Sequence, residues 1–361
     1  MKLLRQPEDG VTPLLNGING AESSVDIVIF RFDQPEIERA LASAVSRGVS
    51  VQALIAHMNG SGEDGLRKLE TRLLSAGVTV ARTGVDFVRY HAKYMVVDRS
   101  ELYLLAFNFT KLDINRSRSF GVVVKDAKLV REALKLMEAD TKRHPYEPGL
   151  STFVVSPDNA RAELSSFIRA AEKQLLIYDP KVSDRAMVRL LQERAKAGVD
   201  VKIIGTAPPA SGLAVRKLIS PRLHTRAIVR DGQTAFLGSQ SLREMELDRR
   251  REAGVVLSDS SIVNQIAKTF EEDWDLSKAS NEEEAKPAAP PAAKLAKKIA
   301  KAVAKELPPV TPMLEVTIKE LGAEPAALAL EPEKLEETVR EAVKDAVKEV
   351  LEEVVEQTKP V

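Results

Sequence analysis

The strongest constraint on the fold of this chain is an internal duplication that spans positions 1–277. Residue types recur after 150 positions in the pairs Ile18 and Ile168, Ala21 and Ala171, Glu22 and Glu172, and Gly48 and Gly198. In both copies an apolar run is followed by a helix-like run that ends at the glycine, and then by a second apolar run. Such a strand–helix–strand unit almost always joins parallel strands by a right-handed crossover. The sequence therefore predicts a duplicated α/β fold.

A later stretch repeats with a shorter offset between the copies. Its matched pairs are His91 and His224, Asp98 and Asp231, Gly121 and Gly254, Asp126 and Asp259, and Asp140 and Asp273. The offset shortens between Gly48 and His91, where the first copy carries an additional helix-like segment, GEDGLRKLETRLLSAG. We therefore expect two lobes, over 1–150 and 151–277, each a mixed sheet flanked by helices.

Composition changes near position 277. The range 1–277 carries 40 Lys+Arg and 36 Asp+Glu, whereas the range 278–361 carries 13 and 17. The segment that follows the change is rich in Pro, Ala and charge, which is typical of a linker. Amphipathic patterns over 292–307 and 333–356 then predict a helical or partly disordered tail over 278–361. These two segments are candidates for binding a protein partner or for self-association, and the basic first one also for contact with an anionic membrane surface.

Several classes of protein are excluded by what the sequence lacks. It has no cysteine, which excludes disulfide frameworks, thiolate zinc sites and cysteine nucleophiles. It has no run of about 18 apolar residues, and its N-terminus does not resemble a signal peptide. We expect a cytoplasmic protein, with peripheral contact to a membrane as an alternative. The small net charge and the 4% aromatic content give little support to nucleic-acid binding.

Two of the four histidines occupy matched positions in the strings HAKYMVVD and HTRAIVRD. The apolar residues in each string predict a strand, on which side chains two positions apart share one face. His91 would then lie beside Lys93, and His224 beside Arg226. An imidazole next to a cation suits a phosphoryl group, because imidazole can attack phosphorus while the cation stabilises negative charge. These four residues are therefore predicted to be catalytic.

Two such pairs facing one anion-sized gap can divide a reaction between them. One histidine would form a covalent phosphohistidine, while the other would protonate the leaving oxygen and then activate water or an alcohol. This chemistry requires neither a metal nor a cofactor, and the sequence predicts none.

The doubled string resembles the phospholipase D superfamily, whose mark is H-x-K-x4-D followed after six residues by G-S-x-N, twice in one chain. The resemblance covers roughly the range 11–277. Arg226 stands where the superfamily has its second lysine, and arginine keeps the charge but changes the geometry. We expect Asp98 and Asp231 to be structural residues of the motif that anchor the adjoining strand through ion pairs.

Both G-S-x-N elements have diverged. The first reads Leu-Ala-Phe-Asn over 105–108 and keeps only the asparagine, and the second reads Gly-Ser-Gln-Ser over 238–241 and has lost it. Asn108, Ser239 and Ser241 are candidates for hydrogen bonds to a substrate phosphate. The alternative is that they are turn residues that satisfy the local backbone.

The resemblance also implies a carboxylate that orients a catalytic histidine through Nδ1–H. Glu252 occupies that place after His224, whereas the equivalent position after His91 is Ser119. A carboxylate partner raises the basicity of an imidazole, which would make His224 the better nucleophile or base. Superfamily members with two motifs are usually interpreted with the first histidine as the nucleophile. The order of the two histidines stays open.

The resemblance implies a phosphodiesterase of the phospholipase D type that hydrolyses or exchanges ester bonds, with phospholipid favoured over nucleic acid as its substrate. A covalent intermediate makes hydrolysis and transfer alternatives, decided by whether water or an alcohol arrives. Two other functions stay open. One is a metal-independent endonuclease, and the other is a catalytically reduced, phosphate-binding adaptor that recruits partners through its tail.

Overall fold

The computed structural model describes residues 1–59 and 63–279. Nearly all of the predicted tail, including the candidate partner segments over 292–307 and 333–356, lies outside the described residues. The boundaries predicted for the lobes stay predictions. Within the described ranges, no helix is both long enough and apolar enough to cross a membrane.

In its described residues, the first copy contains eight strands and five helices. Its strands are β1 (Lys2–Gln6), β2 (Ser24–Ile29), β3 (Ser50–Ile55), β4 (Thr79–Arg82), β5 (Arg89–Tyr90), β6 (Tyr94–Val97), β7 (Glu101–Leu105) and β8 (Ser117–Val124). Its helices are α1 (Thr12–Asn19), α2 (Pro35–Ser46), α3 (Asp64–Ser75), α4 (Lys111–Arg116) and α5 (Ala127–Lys142). The additional helix-like segment of this copy forms α3, as predicted.

The second copy repeats this order without a counterpart of α3. Its strands are β9 (Phe153–Ser156), β10 (Gln174–Asp179), β11 (Asp200–Gly205), β12 (Ala214–Lys217), β13 (Arg222–Leu223), β14 (Arg226–Arg230), β15 (Thr234–Gly238), β16 (Arg250–Leu257) and β17 (Lys278–Ala279). Its helices are α6 (Ala160–Arg169), α7 (Arg185–Lys196), α8 (Glu244–Asp248) and α9 (Ser260–Leu276).

The strands form two mixed sheets. The first has the order β1-β8-β7-β6-β2-β3-β4, and the second has the order β17-β12-β11-β10-β14-β15-β16-β5. Strands β2 and β3 are parallel, as are β10 and β11, whereas β6 runs antiparallel to β2 and β14 antiparallel to β10. The predicted fold class, two duplicated α/β lobes of mixed sheet and helices, is confirmed.

The crossover helices end as their sequences predict. Helix α2 is followed by Gly48 with φ +87°, and α7 by Gly198 with φ +93°. Only glycine adopts this left-handed conformation without a steric penalty, and it lets the chain turn back into the next strand. The amphipathic helices bury their apolar faces against the sheets, for example through Ile37 and Leu41 of α2.

Each sheet also pairs with a short strand of the other copy. Strand β5 pairs in parallel with β16, and β13 pairs in parallel with β8. Two buried ion pairs reinforce these crossings: the guanidinium of Arg118 in β8 contacts Asp273 of α9 at 2.7 Å, and that of Arg251 in β16 contacts Asp140 of α5 at 3.1 Å. Both short strands lead directly into a motif histidine, so the exchange of strands brings each motif to the other copy.

Candidate active site

The backbone of each motif histidine is bonded to the opposite copy. The N–H of His91 donates to the carbonyl of Arg251 at 2.7 Å, and the N–H of His224 donates to the carbonyl of Arg118 at 3.1 Å. Strand β6 begins at Tyr94, so His91 precedes the strand that was predicted to contain it. The reason is that the backbone N–H of His91 donates to Arg251 of β16, in the other copy, before the chain enters its own sheet at β6.

His91 has a carboxylate partner. Its Nδ1 lies 2.7 Å from Oε2 of Glu252, whose side chain is fully buried. The imidazole also packs edge-on against Phe30, with ring centroids 4.6 Å apart. Its position in the sequence suggested that Glu252 would serve His224, and the structure corrects this, because β16 carries Glu252 alongside β5, the strand that leads to His91.

Burial disfavours the charged forms of both His91 and Glu252. It raises the pKa of Glu252 to about 7, and together with nearby Lys93 it lowers the pKa of His91 well below its usual value. When Glu252 is ionised, its contact with Nδ1 requires the imidazole proton to be on Nδ1. The Nε2 atom of His91 then keeps a free lone pair, as a nucleophile needs.

His224 has different surroundings, although its backbone position is equivalent. The residue that corresponds to Glu252 is Ser119, and within the described ranges neither its Oγ nor Nδ1 of His224 has a hydrogen-bond partner. The nearest carboxylate is Asp113 of α4, whose Oδ2 lies 3.6 Å from Nε2 of His224. Burial lowers the pKa of His224 well below its usual value, while Asp113 opposes this shift.

The two motif cations also differ. Lys93 is buried, and its Nζ has no hydrogen-bond partner in the part of the chain that the structure describes. Arg226 is anchored instead: its Nε donates to Oγ of Ser241 at 3.1 Å and its Nη1 to the carbonyl of His224 at 2.7 Å. Burial lowers the pKa of Lys93 well below its usual value, and a phosphate anion beside Nζ would favour the charged form and receive its full donor capacity.

Electrostatic contacts place both motifs around one space. Lys93 and Arg226 each lower the pKa of His91, and both also lower the pKa of His224. Because such effects fall off with distance, both cations lie within electrostatic range of both imidazoles. The four residues that the sequence predicted to be catalytic therefore interact electrostatically, and their catalytic role stays a prediction.

The candidate substrate-binding residues have local partners. The side-chain amide of Asn108 donates to Oδ2 of Asp113 at 2.6 Å, which leaves its Oδ1 without a hydrogen-bond partner among the described residues. The hydroxyl of Ser239 accepts from the N–H of Ala253 at 3.2 Å, so it joins β15 to β16. Ser241 holds Arg226. Their contact with a substrate stays a prediction.

Within 1–59 and 63–279, the motif aspartates accept backbone hydrogen bonds and form none of the expected ion pairs. Oδ1 of Asp98 accepts from the N–H groups of Ser23 and Ser24 at 2.7 and 2.9 Å. Asp231 does the same with Lys173 and Gln174, at 2.7 and 2.9 Å. Burial would raise the pKa of Asp98, but the N–H donors outweigh it and hold that pKa at about 2. Both residues anchor the turn that follows the motif.

Two buried acids of the site were not predicted from the sequence. Asp113 and Glu246 are separated by the same offset as His91 and His224. Each accepts the N–H of the residue five positions earlier, at 3.0 Å from Asn108 and 2.7 Å from Ser241. The repeat offset could have revealed the pair. Within 1–59 and 63–279, no group of three or more His, Asp or Glu side chains is arranged to hold a metal ion.

Sequence comparisons agree with the duplicated motif. A family model described as cardiolipin synthase, PLD-like domain, matches residues 14–141 and 164–274. The mitochondrial cardiolipin hydrolase of Mus musculus is 30% identical over 139 residues, which cover 37% of this chain and 59% of that protein. The Homo sapiens protein of the same name is 30% identical over 150 residues, 40% of this chain and 56% of that protein. The matched part spans little more than half the length of these relatives.

Solved structures show the same fold. A polyphosphate kinase from Porphyromonas gingivalis superposes with a TM-score of 0.64 at 18% identity, over 76% of this chain and 47% of that one. A phosphatidylserine synthase from Haemophilus influenzae superposes with a TM-score of 0.62 at 13% identity, over 84% of this chain and 93% of that one.

Proposed function

Because this chain belongs to the phospholipase D-like family described as cardiolipin synthase, PLD-like domain, we propose that it hydrolyses or exchanges phosphodiester bonds of phospholipids. The observation that carries the proposal is the 2.7 Å contact between Nδ1 of His91 and Glu252, whose pKa the buried Lys93 lowers against the effect of burial. It prepares a nucleophile next to a cation. The choice of phospholipid over other diesters is supported by the relatives named mitochondrial cardiolipin hydrolase.

In the first step, Nε2 of His91 attacks phosphorus. The P–N bond forms while the P–O bond to the leaving group breaks, and the leaving oxygen takes a proton from Nε2 of the His224 imidazolium, which becomes a neutral imidazole. Lys93 stabilises the negative charge that develops on the other phosphate oxygens. Glu252 stabilises the positive charge that His91 acquires, through the Nδ1–H that it accepts.

In the second step, water gives a proton to the Nε2 of His224 that has just lost one, and attacks phosphorus. The P–N bond breaks, His91 leaves as neutral imidazole, and both histidines return to their starting states. An alcohol in place of water gives exchange rather than hydrolysis. All protons are carried by imidazoles of this chain, so we expect turnover to persist in the presence of EDTA.

The test incubates the full chain in EDTA with cardiolipin vesicles, bis(4-nitrophenyl) phosphate and plasmid DNA in parallel. We expect release of phosphatidyl products and cleavage of the small diester. With a diester labelled at phosphorus, an alkaline quench, in which phosphohistidine is stable, should leave the labelled phosphoryl group bound to His91. The His91→Asn variant should give no label, whereas His144→Asn, which changes an exposed histidine, should be labelled as the unaltered chain is.

The other outcomes decide between the remaining functions. Plasmid cleavage without lipid turnover would replace the proposal with a nuclease. Binding of inorganic phosphate without turnover of any diester would replace it with an adaptor, a function that the anchored side chain of Arg226 favours.

A further inference from the structure

We propose that the two loops that lead toward the motif histidines form a surface that binds an anionic phospholipid bilayer and presents the active site to it. The first loop covers residues 83–88 and precedes β5, and the second covers residues 218–221 and precedes β13. We call them the mouth loops. The effect of this surface on lipid turnover rests on the proposed function, whereas its binding to a bilayer does not.

Large apolar side chains are exposed on both mouth loops. Val85 and Val88 on the first are 74% and 46% exposed, and Ile219 on the second is 51% exposed. Met58, at the end of β3, is 50% exposed. Exposed apolar side chains that cluster in one region mark an interaction site, whereas scattered ones do not. Among the described residues, the other large apolar side chains of comparable exposure are Met1, Leu74 and Leu276.

The fold places both mouth loops at the edge of the sheets where the site lies. Strands β2, β3 and β4 are parallel and end at one edge, and β10, β11 and β12 do the same in the second copy. The residue after β2 is Phe30, whose ring packs against His91. The mouth loops follow β4 and β12, so they leave from this edge. Met58 belongs to the same region, because the N–H of His57 donates to Oγ1 of Thr83 at 2.8 Å.

Exposed cations flank these apolar side chains. Arg249 is exposed, and its carbonyl accepts from the N–H of Val88 at 3.2 Å. Lys217 is exposed directly before the second mouth loop. Neither side chain forms an ion pair among the described residues. The second loop with its two flanking residues reads KLISPR, with two cations and no acid, and the first loop contains one acid, Asp86.

This combination of side chains fits a bilayer better than a nucleic acid. A bilayer that contains anionic lipid offers negative headgroups to the cations and an apolar interior to the valine and isoleucine side chains. A nucleic acid is bound mainly through its phosphates, so exposed Val85 and Ile219 would contribute little. Binding by the mouth loops would also hold the opening of the site at the depth of the lipid phosphates.

The first experiment locates the bilayer contact. The chain contains no cysteine, so one introduced cysteine can carry an environment-sensitive dye at a chosen position. We expect the dye fluorescence of full-length Val85→Cys and Ile219→Cys to rise with mixed vesicles of phosphatidylcholine and phosphatidylglycerol. The matched control is Leu74→Cys, because Leu74 is 52% exposed near the end of α3, which leads to the start of β4 and thus to the opposite edge.

Three results would overturn the proposal. One is an equal rise at positions 74, 85 and 219, and another is no rise at 85 and 219. The third is the same rise with plasmid DNA in place of vesicles, which would assign the surface to nucleic acid.

The second experiment measures affinity by sedimentation of the full chain with vesicles. Ile219→Asp should weaken binding by roughly 10-fold, because it removes one apolar side chain from the bilayer. Lys217→Gln should weaken binding to the anionic vesicles by about 5-fold and leave binding to pure phosphatidylcholine unchanged. Leu74→Asp should bind as the wild type does. Unchanged binding in Ile219→Asp would assign the contact to another part of the chain and overturn the proposal.

The third experiment separates this surface from the proposed function. Ile219→Asp should cleave dissolved bis(4-nitrophenyl) phosphate at the wild-type rate and vesicle lipid roughly 10-fold more slowly, in proportion to its binding. An equal loss with the dissolved diester would show that the loop shapes the active site instead, and would overturn the proposal. If the wild-type chain cleaves neither substrate, the proposed function fails, while the dye and sedimentation measurements still decide whether the mouth loops bind a bilayer.

Discussion

The surroundings of His91 and His224 differ more than the duplication predicts. Both follow a short strand that pairs with the opposite copy, and both donate a backbone hydrogen bond across that pairing. Yet one imidazole has Glu252 at Nδ1, whereas the other has Ser119 on the equivalent strand and Asp113 near Nε2. The comparison teaches that repeated backbone brings two imidazoles to one space, while single substitutions around them assign different chemistry to each.

Replacing each histidine tests this comparison most strongly. His91→Asn removes the nucleophile, so we expect a loss of at least about 10⁴-fold with every diester. His224→Asn removes the group that protonates the leaving oxygen and then accepts a proton from water. Because a 4-nitrophenyl group leaves without needing a proton, the loss should be smaller with that leaving group than with a phenyl one. The measurement is kcat/KM for both substrates. The assignment would be reversed if His224→Asn abolished labelling of the enzyme while His91→Asn preserved it.

Breaking the ion pair of Arg118 or of Arg251 should have the next largest effect, in this case on the free energy of unfolding. Arg118 and Arg251, whose carbonyls hold His224 and His91, have buried partners in Asp273 and Asp140. Arg118→Met would leave the carboxylate of Asp273 buried beside an apolar side chain, at a cost of roughly 3–5 kcal/mol in the free energy of unfolding. Urea denaturation measures the loss.

Arg251→Met is the matched variant for the other copy, with an expected loss of similar size. An unchanged urea midpoint in either variant would show that the pair contributes nothing net, and that β-strand exchange alone joins the copies at that point.

Removing the carboxylate of Glu252 should cost less than removing His91. Glu252→Gln keeps the shape of the side chain but loses the charge that orients Nδ1–H, so we expect roughly a 100-fold lower kcat. In the wild type, protonation of Glu252 should reduce activity as the pH falls through about 7. The midpoint of this loss of activity at acid pH, the acid limb of the pH profile, should shift in Glu252→Gln. A limb with an identical midpoint in Glu252→Gln would assign it to another group.

The smallest effect is expected at the equivalent position of the first copy. Ser119 has a buried hydroxyl without a hydrogen-bond partner among the described residues, so Ser119→Ala removes no bond. We expect its kcat and its stability to remain within about 2-fold and about 0.5 kcal/mol of the wild type. A large loss of kcat in Ser119→Ala would show that the hydroxyl acts on His224 and would remove the contrast with Glu252.

Much of the fold could be predicted because the repeated patterns are local. The spacing of apolar residues in α2 and α7, and the glycines at 48 and 198, act over a few residues and are legible without tertiary contacts. The motif histidines were found for the same reason, since matched strings expose them. Local pattern does not reveal the partner of a side chain, however, and Glu252 was therefore assigned to the wrong histidine.

Asp113 and Glu246 show the same limit. Each is an acid in a short helix, where a charged residue is ordinary, and only their common contact with the backbone of residues 108 and 241 distinguishes them. The offset that they share with the motif histidines was available as a signal, but their function depends on what lies opposite. That neighbour is His224 for Asp113 and a cluster of arginines for Glu246.

By itself the sequence determined the duplication, the two α/β lobes, and the pairing of each motif histidine with a cation, because these are encoded by periodicity and by identity between copies. Only the tertiary structure decided which acid serves which imidazole, since the exchange of β5 and β13 sends each histidine to the opposite sheet. Hydrogen-bond geometry acts over a few ångströms in space, and side chains as distant in the chain as those of His91 and Glu252 meet only when it has folded.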